Sequence, residues 1–541
     1  MWSTNIPLVL PVTVTADPPS LQDNSADLDR LRRALKTLLP DSRPLEIPFT
    51  RIVPLCRRFR QSGFSGVALV NDLPDRWVLA DFLAELPLTL PAMALDLGTT
   101  HLEATLVDLL SGRSLASAGR ENSQIEYGAD ILSRIHQATR VRRQLPELEA
   151  SFLDPGLAVL QQSIIACINM LTTELIADSG FKTSDVRAMS VSGNTTMIHF
   201  LLGLDPFHIC REPYIPMANV IDPMESGELG LILHAAAPLW IMPSVGSYFG
   251  GDLISGILAS GLAVSEQTRM LIDVGTNAEV VLGNRDWLIA CAGAAGPALE
   301  GGVARMGMRA APGAIEFVAI DPVTYALEVK TIDMVPARGL CGSGMIDLVA
   351  ALYLARIIDV RGKFRDPEQE SDPERAAFMR ERLVRRNDQW AFMVVAAALA
   401  AEGAAVLLEQ IDLDAMIRSK AAMYAVLTTL INQVGLDFID LAEICVAGAF
   451  GVHINPQRAI MLGMLPDLDL SVYRPIGNSS LQGAALALLK RSARQQCLDI
   501  VSKITYLELN VNQEFMIRFS GALFIPHTDP SLFPSVPLFT E

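Results

Sequence analysis

Two stretches of this chain place the same kind of chemistry-bearing residues behind an apolar strand. In MALDLGTTHLEATLVDLLSG, from Met93, Asp96 is followed by Gly98, Thr99 and Thr100; in MLIDVGTNAEVVLGN, from Met270, Asp273 is followed by Gly275, Thr276 and Asn277. Each reads as a strand that ends at the aspartate, turns at the glycine and resumes as a second strand. A glycine at positive φ would let the following amides and hydroxyls point at one anion. A single turn of this kind is most often only a turn. Two copies, at the same place relative to two strand pairs, predict a clamp that grips a chain of phosphates from both sides, with Asp96 and Asp273 holding Mg²⁺ through water.

Two further glycine clusters fit a nucleotide. In EICVAGAFGVHINP a buried strand ends in Gly448, Ala449, Phe450 and Gly451, small enough in part for adenine and ribose to lie against backbone. In AAGPALEGG, Gly296 and Gly301 flank Glu300 in a loop too glycine-rich for a helix interior. Hydrolysis of ATP needs a carboxylate within hydrogen-bond reach of the attacking water. Glu300, Asp96 and Asp273 compete for that role. Asp252, in GSYFGGDLISGILA, reads most simply as a helix cap, with a metal or substrate contact as the sharper alternative.

The elements that must position these residues follow from composition and pattern. The 541 residues are 50% hydrophobic and 19% charged, enough for several buried cores. The most apolar stretch noted, AFMVVAAALAAEGAAVLL, is broken by Glu402 and Gly403, and the N-terminus has no basic region before its apolar run, so the expectation is a cytoplasmic chain with no membrane partner. A formal charge of −17 argues against nucleic acid. The seven cysteines are scattered with no CxxC pair, which excludes a local iron–sulfur or zinc cradle. Leu28, Leu31, Leu35 and Leu38 recur on one face of a helix from about Ser25 to Leu39, capped by Asn24 or Ser25 and stopped by Pro40. Glycine-punctuated strands and helices then alternate from Met93 to about residue 490, which indicates an α/β fold. Leu507, Leu509 and Val511 alternate as on a half-buried strand before a short helix carrying Phe515 and Phe519.

Together the three phosphate and adenosine stretches resemble the acetate and sugar kinase, Hsp70 and actin superfamily, whose two ribonuclease-H-like lobes close on ATP. With ENSQIEYGADILSRI, SVSGNTTMIHFLLG, GAAGPALEGGVARMGMRAAPGAI, GLCGSGMIDLVA, DLDAMIRSKAAMYA and GAFGVHINPQRAIMLGMLP, the chain resembles the ATPase portion of the reductive activators of corrinoid proteins from about Pro18 to residue 530. The resemblance implies a linker with helix over 1–42, a small α/β middle domain over 43–91, ATPase lobe I over 92–269, lobe II over 270–490 and a C-terminal extension over 491–541. It implies a first connecting element around Ser192, Gly193, Asn194 and Thr195, and a second at Asp412, Lys420 and Ala421, where two helices cross at the hinge. Asn194 and Lys420 join the expected nucleotide set, though a turn residue and a solvated lysine are the plainer readings. Ala292 and Gly293 stand where the family often has hydroxyls, and Ala278 where it often has glycine.

The function implied is ATP- and Mg²⁺-dependent reduction of a corrinoid protein from Co(II) to Co(I). The family's N-terminal [2Fe–2S] domain is not in these residues, so the electron is expected from a separate low-potential donor, a ferredoxin or flavoprotein. A homodimer is compatible with the resemblance. The rival readings are a kinase acting on a small metabolite and an ATP-switched, chaperone-like binding module.

Overall fold

The computed structural model describes residues 5–141, 153–177, 179–275, 278–293, 304–509 and 513–539, with Ala449 and Phe450 described through their backbone only. It divides into two compact units, residues 1–259 with 479–502 and residues 260–478 with 503–541.

The first unit opens with a small module. Strand β1 (Val9–Thr15), helix α1 (Asp27–Leu38), the short β2 (Leu45–Glu46), α2 (Ile52–Gln61), β3 (Ser65–Asp72) and β4 (Trp77–Leu83) follow in order. The strands form one sheet in the order β1-β3-β4-β2. Leu31 and Leu35 of α1 and Leu55 and Phe59 of α2 pack on it with Val12, Val70, Trp77 and Phe82. The expected linker therefore contains a strand: β1 pairs with β3 from Val9↔Asn71 to Thr15↔Ser65, and a boundary at residue 42 falls inside the module. Pro11 is tolerated because β1 is an edge strand. The N-cap of α1 is Ala26, with no side-chain cap, one residue beyond the expected Ser25.

Next come β5 (Pro91–Leu97), β6 (His101–Asp108), β7 (Ser114–Glu121), α3 (Ile131–Ala138), α4 (Pro155–Ala177), β8 (Met189–Gly193), α5 (Thr195–Leu202), β9 (Met224–Glu225), β10 (Pro238–Ile241) and α6 (Gly251–Ser260). The sheet order is β7-β6-β5-β8-β10-β9, with β5, β6 and β7 an antiparallel meander and β8 parallel to β5. Among the described residues α4 is the one helix long and apolar enough to cross a membrane by length and composition. Its Leu157, Leu160, Ile164, Ile168 and Leu171 are buried in the core between this helix and the sheet.

The second unit holds β11 (Arg269–Val274), β12 (Ala278–Gly283), β13 (Leu288–Gly293), β14 (Ala314–Ile320), β15 (Leu327–Thr331), β16 (Gly339–Leu340), α7 (Gly342–Leu354), α8 (Pro373–Arg382), β17 (Leu383–Arg386), β18 (Gln389–Val395), β19 (Val406–Glu409), α9 (Gln410–Gln433), β20 (Glu443–Ala447), α10 (Gly448–His453), α11 (Pro456–Leu462) and β21 (Tyr473–Gly477). The chain then contributes α12 (Ser479–Leu489) and most of α13 (Arg491–Lys503) to the first unit, and ends in the second with β22 (Ile504–Tyr506) and α14 (Gln513–Gly521). Residues 479–490, expected in the second lobe, thus belong to the first unit. The C-terminal strand β22 ends at Tyr506, before Leu507 and Leu509 of the expected alternation, and Val511 lies outside the described residues.

The main sheet of this unit runs β21-β20-β11-β12-β13-β22, again a meander (β11, β12, β13) with a parallel strand, β20, beside its first member. The internal repeat read from the sequence is thus a repeat of topology. These twin sheets flanked by helices are the α/β, actin-like ATPase architecture the sequence predicted.

Candidate functional site

The repeat carries down to single residues. In the first unit Asp96 of β5 lies beside Ser192 of β8, and in the second Asp273 of β11 lies beside Ala447 of β20. In both, the residue after that neighbour is a glycine, which lies against the carbonyl of the residue after the aspartate. A Cβ on Gly193 would sit 2.7 Å from the Leu97 oxygen, and one on Gly448 would sit 3.2 Å from the Val274 oxygen and 3.4 Å from Asp273 Oδ1. Gly193 and Gly448 are therefore counterparts, an equivalence hidden in sequence because the residues after them, Asn194 and Ala449, differ in chemistry.

The first hairpin is held rigidly. Gly98 does not adopt the positive φ expected of it; glycine is needed there for space, because a Cβ would lie 2.4 Å from the His101 carbonyl oxygen. Fully buried Asn122 braces the turn, donating from Nδ2 to the Gly98 oxygen (3.0 Å) and from its backbone N–H to the Thr100 oxygen (3.0 Å). Asn194 caps α5 by accepting from the Met197 N–H at 3.0 Å, and its Nδ2 donates to Thr99 Oγ1 at 3.1 Å. Asn194 is thus a strut between the helix start and the hairpin. In the second unit, Gly448 is the glycine at positive φ, +78°, where β20 gives way directly to α10. Its left-handed turn brings the backbone over the end of β11.

Asp96 is also held from behind. Ser480, in the first turn of α12, donates to Asp96 Oδ1 at 2.6 Å. Asp252, second residue of α6 and not its cap, is half-buried; its Oδ1 accepts from the Leu253 N–H at 2.9 Å. Burial first, and the Asp96 charge with it, push the Asp252 carboxyl up to about 6. Two carboxylates, Asp96 and Asp252, thus share this end of the first sheet. The same stretch of backbone joins them: a Cβ on Gly250 would lie 2.6 Å from Asp252 Oδ1, 2.4 Å from Asn194 Cα and 2.7 Å from the Gly193 oxygen.

Thr276, Asn277, Gly296, Glu300 and Gly301 lie outside the described residues, as do the side chains of Ala449 and Phe450. Among the described residues no three His, Cys, Asp or Glu side chains group as metal ligands.

Lys420 requires a correction. It is neither solvated nor a free cation turned toward a nucleotide. Its side chain is fully buried in α9, and its ammonium donates to the carbonyl oxygens of Phe524 and, at 2.7 Å, Pro526. Burial drives its pKa well below the usual lysine range. Its role is to tie the C-terminal segment to α9. Asp412, three residues into the same helix, accepts from the Glu409 N–H at 3.1 Å in a capping box and from the Arg305 N–H at 3.0 Å.

A protein-family comparison matches residues 267–537 to the C-terminal domain of RACo, the ASKHA domain, and residues 91–265 to the RACo middle region. The chain belongs to this family. The name middle region falls on the segment with β5 to β10, and the small module of residues 9–83 precedes both matches. The corrinoid activation enzyme RamQ of Eubacterium limosum is 32% identical over 427 residues, 78% of this chain and 68% of that protein. The [Co(II) methylated amine-specific corrinoid protein] reductase of Methanosarcina barkeri is 23% identical, over 76% of this chain and 72% of that protein. A solved reductive activator for a corrinoid, iron–sulfur protein superposes with a TM-score of 0.85 at 36% identity, covering 99% of this chain and 82% of the other. The RACo-family fold therefore extends over the N-terminal module as well.

Proposed function

We propose that this chain hydrolyses ATP to drive reductive activation of a corrinoid protein from Co(II) to Co(I). The observation that carries the reading is the RACo-family match over both sheets, each of which presents an Asp-Gly hairpin beside a strand-to-helix glycine turn. We assign Asp96, Gly98, Thr99 and Thr100 in one unit, and Asp273, Gly275, Thr276 and Asn277 in the other, to the phosphates and Mg²⁺. Gly448 to Gly451 are assigned to the adenosine, and Gly296, Glu300 and Gly301 to the loop that serves the attacking water. Asn194 supports the first hairpin through Thr99. Bound Mg²⁺ supplies charge neutralisation at the phosphates; Asp96 and Asp273 would hold its water shell.

Reduction to Co(I) is uphill from ordinary donors, and each ~59 mV of a one-electron gap is a factor of ten in equilibrium constant. ATP can close that gap only by binding with different affinity to the states before and after electron transfer. The seven cysteines form no CxxC pair in sequence, and on this reading the electron comes from a separate low-potential donor, a ferredoxin or flavoprotein. Burial pushes the Cys291, Cys445 and Cys497 thiols up, and scattered unpaired cysteines suit a reducing cytoplasm.

The test is ATP turnover with and without a Co(II) corrinoid protein. Slow hydrolysis that rises with the corrinoid protein, and falls to background in Asp96→Ala and Asp273→Ala, is expected. Parental hydrolysis by both variants would remove the site assignment; faster phosphorylation of a small acid or sugar than any corrinoid-linked turnover would favour the kinase.

A further inference from the structure

We infer that Ser480 is a positioning residue for Asp96, backed by Ser192 and Ser255 in a chain of buried hydroxyls. The inference rests on the assignment of Asp96 to the ATP phosphates. Ser480 Oγ lies 2.6 Å from Asp96 Oδ1 and 2.8 Å from Ser192 Oγ, and Ser192 Oγ lies 2.8 Å from Ser255 Oγ. Each serine has one proton to give, and an ionised carboxylate only accepts. Ser480 Oγ thus donates toward Asp96 Oδ1, with Ser192 Oγ also within its reach and Ser255 Oγ behind Ser192. Linked hydroxyls of this kind polarise one another.

The three serines come from three elements, α12, β8 and α6, and all are buried, at 6%, 0% and 0% exposure. A buried hydroxyl kept only for packing bonds back to its own helix. Thr172 does so with the Ile168 oxygen at 2.8 Å, and Thr428 with the Tyr424 oxygen at 2.7 Å. Ser480 and Ser255 instead reach across elements. The far end is closed by packing: a Cβ on Gly483 would lie 2.4 Å from Ser255 Cβ, so α12 and α6 touch there with no room for water between them. A chain closed in this way orients a carboxylate; it does not carry protons to solvent.

The experiment measures kcat and KM for MgATP hydrolysis, with ATP affinity by calorimetry, on the full chain and its variants. Ser480→Ala should lower kcat about ten- to a hundredfold, the scale of a misplaced reacting group, with KM for ATP within about twofold. Ser480→Thr, which keeps the hydroxyl, should recover most of the loss. Ser255→Ala should cost less, and adding it to Ser480→Ala should cost nothing more, because Ser255 acts through Ser480. Should Ser480→Ala not fold, Ser192→Ala interrupts the same chain from the sheet, and its kcat must fall with KM held.

A parental kcat in Ser480→Ala, or losses that multiply in the double variant, overturns the inference. If Asp96→Ala is inactive while Ser480→Ala is parental, the inference alone falls. If Asp96→Ala is itself parental, the assignment of Asp96 falls and takes the inference with it.

Discussion

Asp252 is where one residue's electrostatics can be read directly. An acid whose folded pKa lies above its unfolded value binds its proton more tightly in the folded chain, so folding is penalised as the pH rises through that interval. For Asp252 the interval runs from 3.8 to about 6. The penalty is absent below it, complete above it and at most about 3 kcal/mol. In Mg²⁺-free buffer, Asp252→Asn should therefore raise the melting temperature at pH 8 and leave it near parental at pH 4; a gain of equal size at both would refute the charge argument. The hairpin residues were legible in sequence because strand, glycine and hydroxyl lie within eight positions. Ser480 was not, since it meets Asp96 across 384 residues. Lys420 misled for a different reason: an alanine-rich helix looks alike whether its lysine faces water or, as here, two carbonyl oxygens of a distant segment.

At the scale of elements, the small module is fixed to α13 by an ionic cluster. Asp72, at the end of β3, accepts from Arg43 at 2.7 Å, from Arg491 at 2.5 Å and from Arg494 at 2.5 Å. Arg43 and Arg491 also lie over the Trp77 ring, 4.5 and 4.8 Å from its centroid, and Asp41 accepts from both at 2.9 and 2.8 Å. Asn71 adds a bond to the Ala236 oxygen at 3.1 Å. Removing one partner of a buried pair leaves uncompensated charge, so Asp72→Ala should destabilise the chain by about 3–5 kcal/mol in denaturant titration. Arg76→Ala, at the exposed Arg76–Glu46 pair, should cost about 1 kcal/mol or less. Equal effects would mean the cluster holds nothing. The sequence showed α1, α2 and β3 through their local periodicity but not β1, whose partner lies some fifty residues away and whose prolines read as extended linker. The return of α12 and α13 to the first unit was hidden for the same reason: packing across hundreds of residues leaves no trace in spacing.

For the molecule as a whole, the central claim is that ATP turnover and electron delivery to a corrinoid are one process. Both meander sheets were foreseen because the Asp-Gly hairpin marks each of them, and the family match covers both. A kinase of similar architecture would turn over ATP with a small acceptor and leave cobalt alone. A switched binding module would bind ATP without changing the metal's oxidation state. The most direct measurement follows the Co(I) absorption band after mixing this protein, a Co(II) corrinoid protein and a low-potential reductant such as Ti(III) citrate, with and without MgATP. The account predicts that Co(I) accumulates only when ATP is present and that Asp273→Ala abolishes it. Co(I) formed at the same rate and to the same extent without ATP would contradict the account.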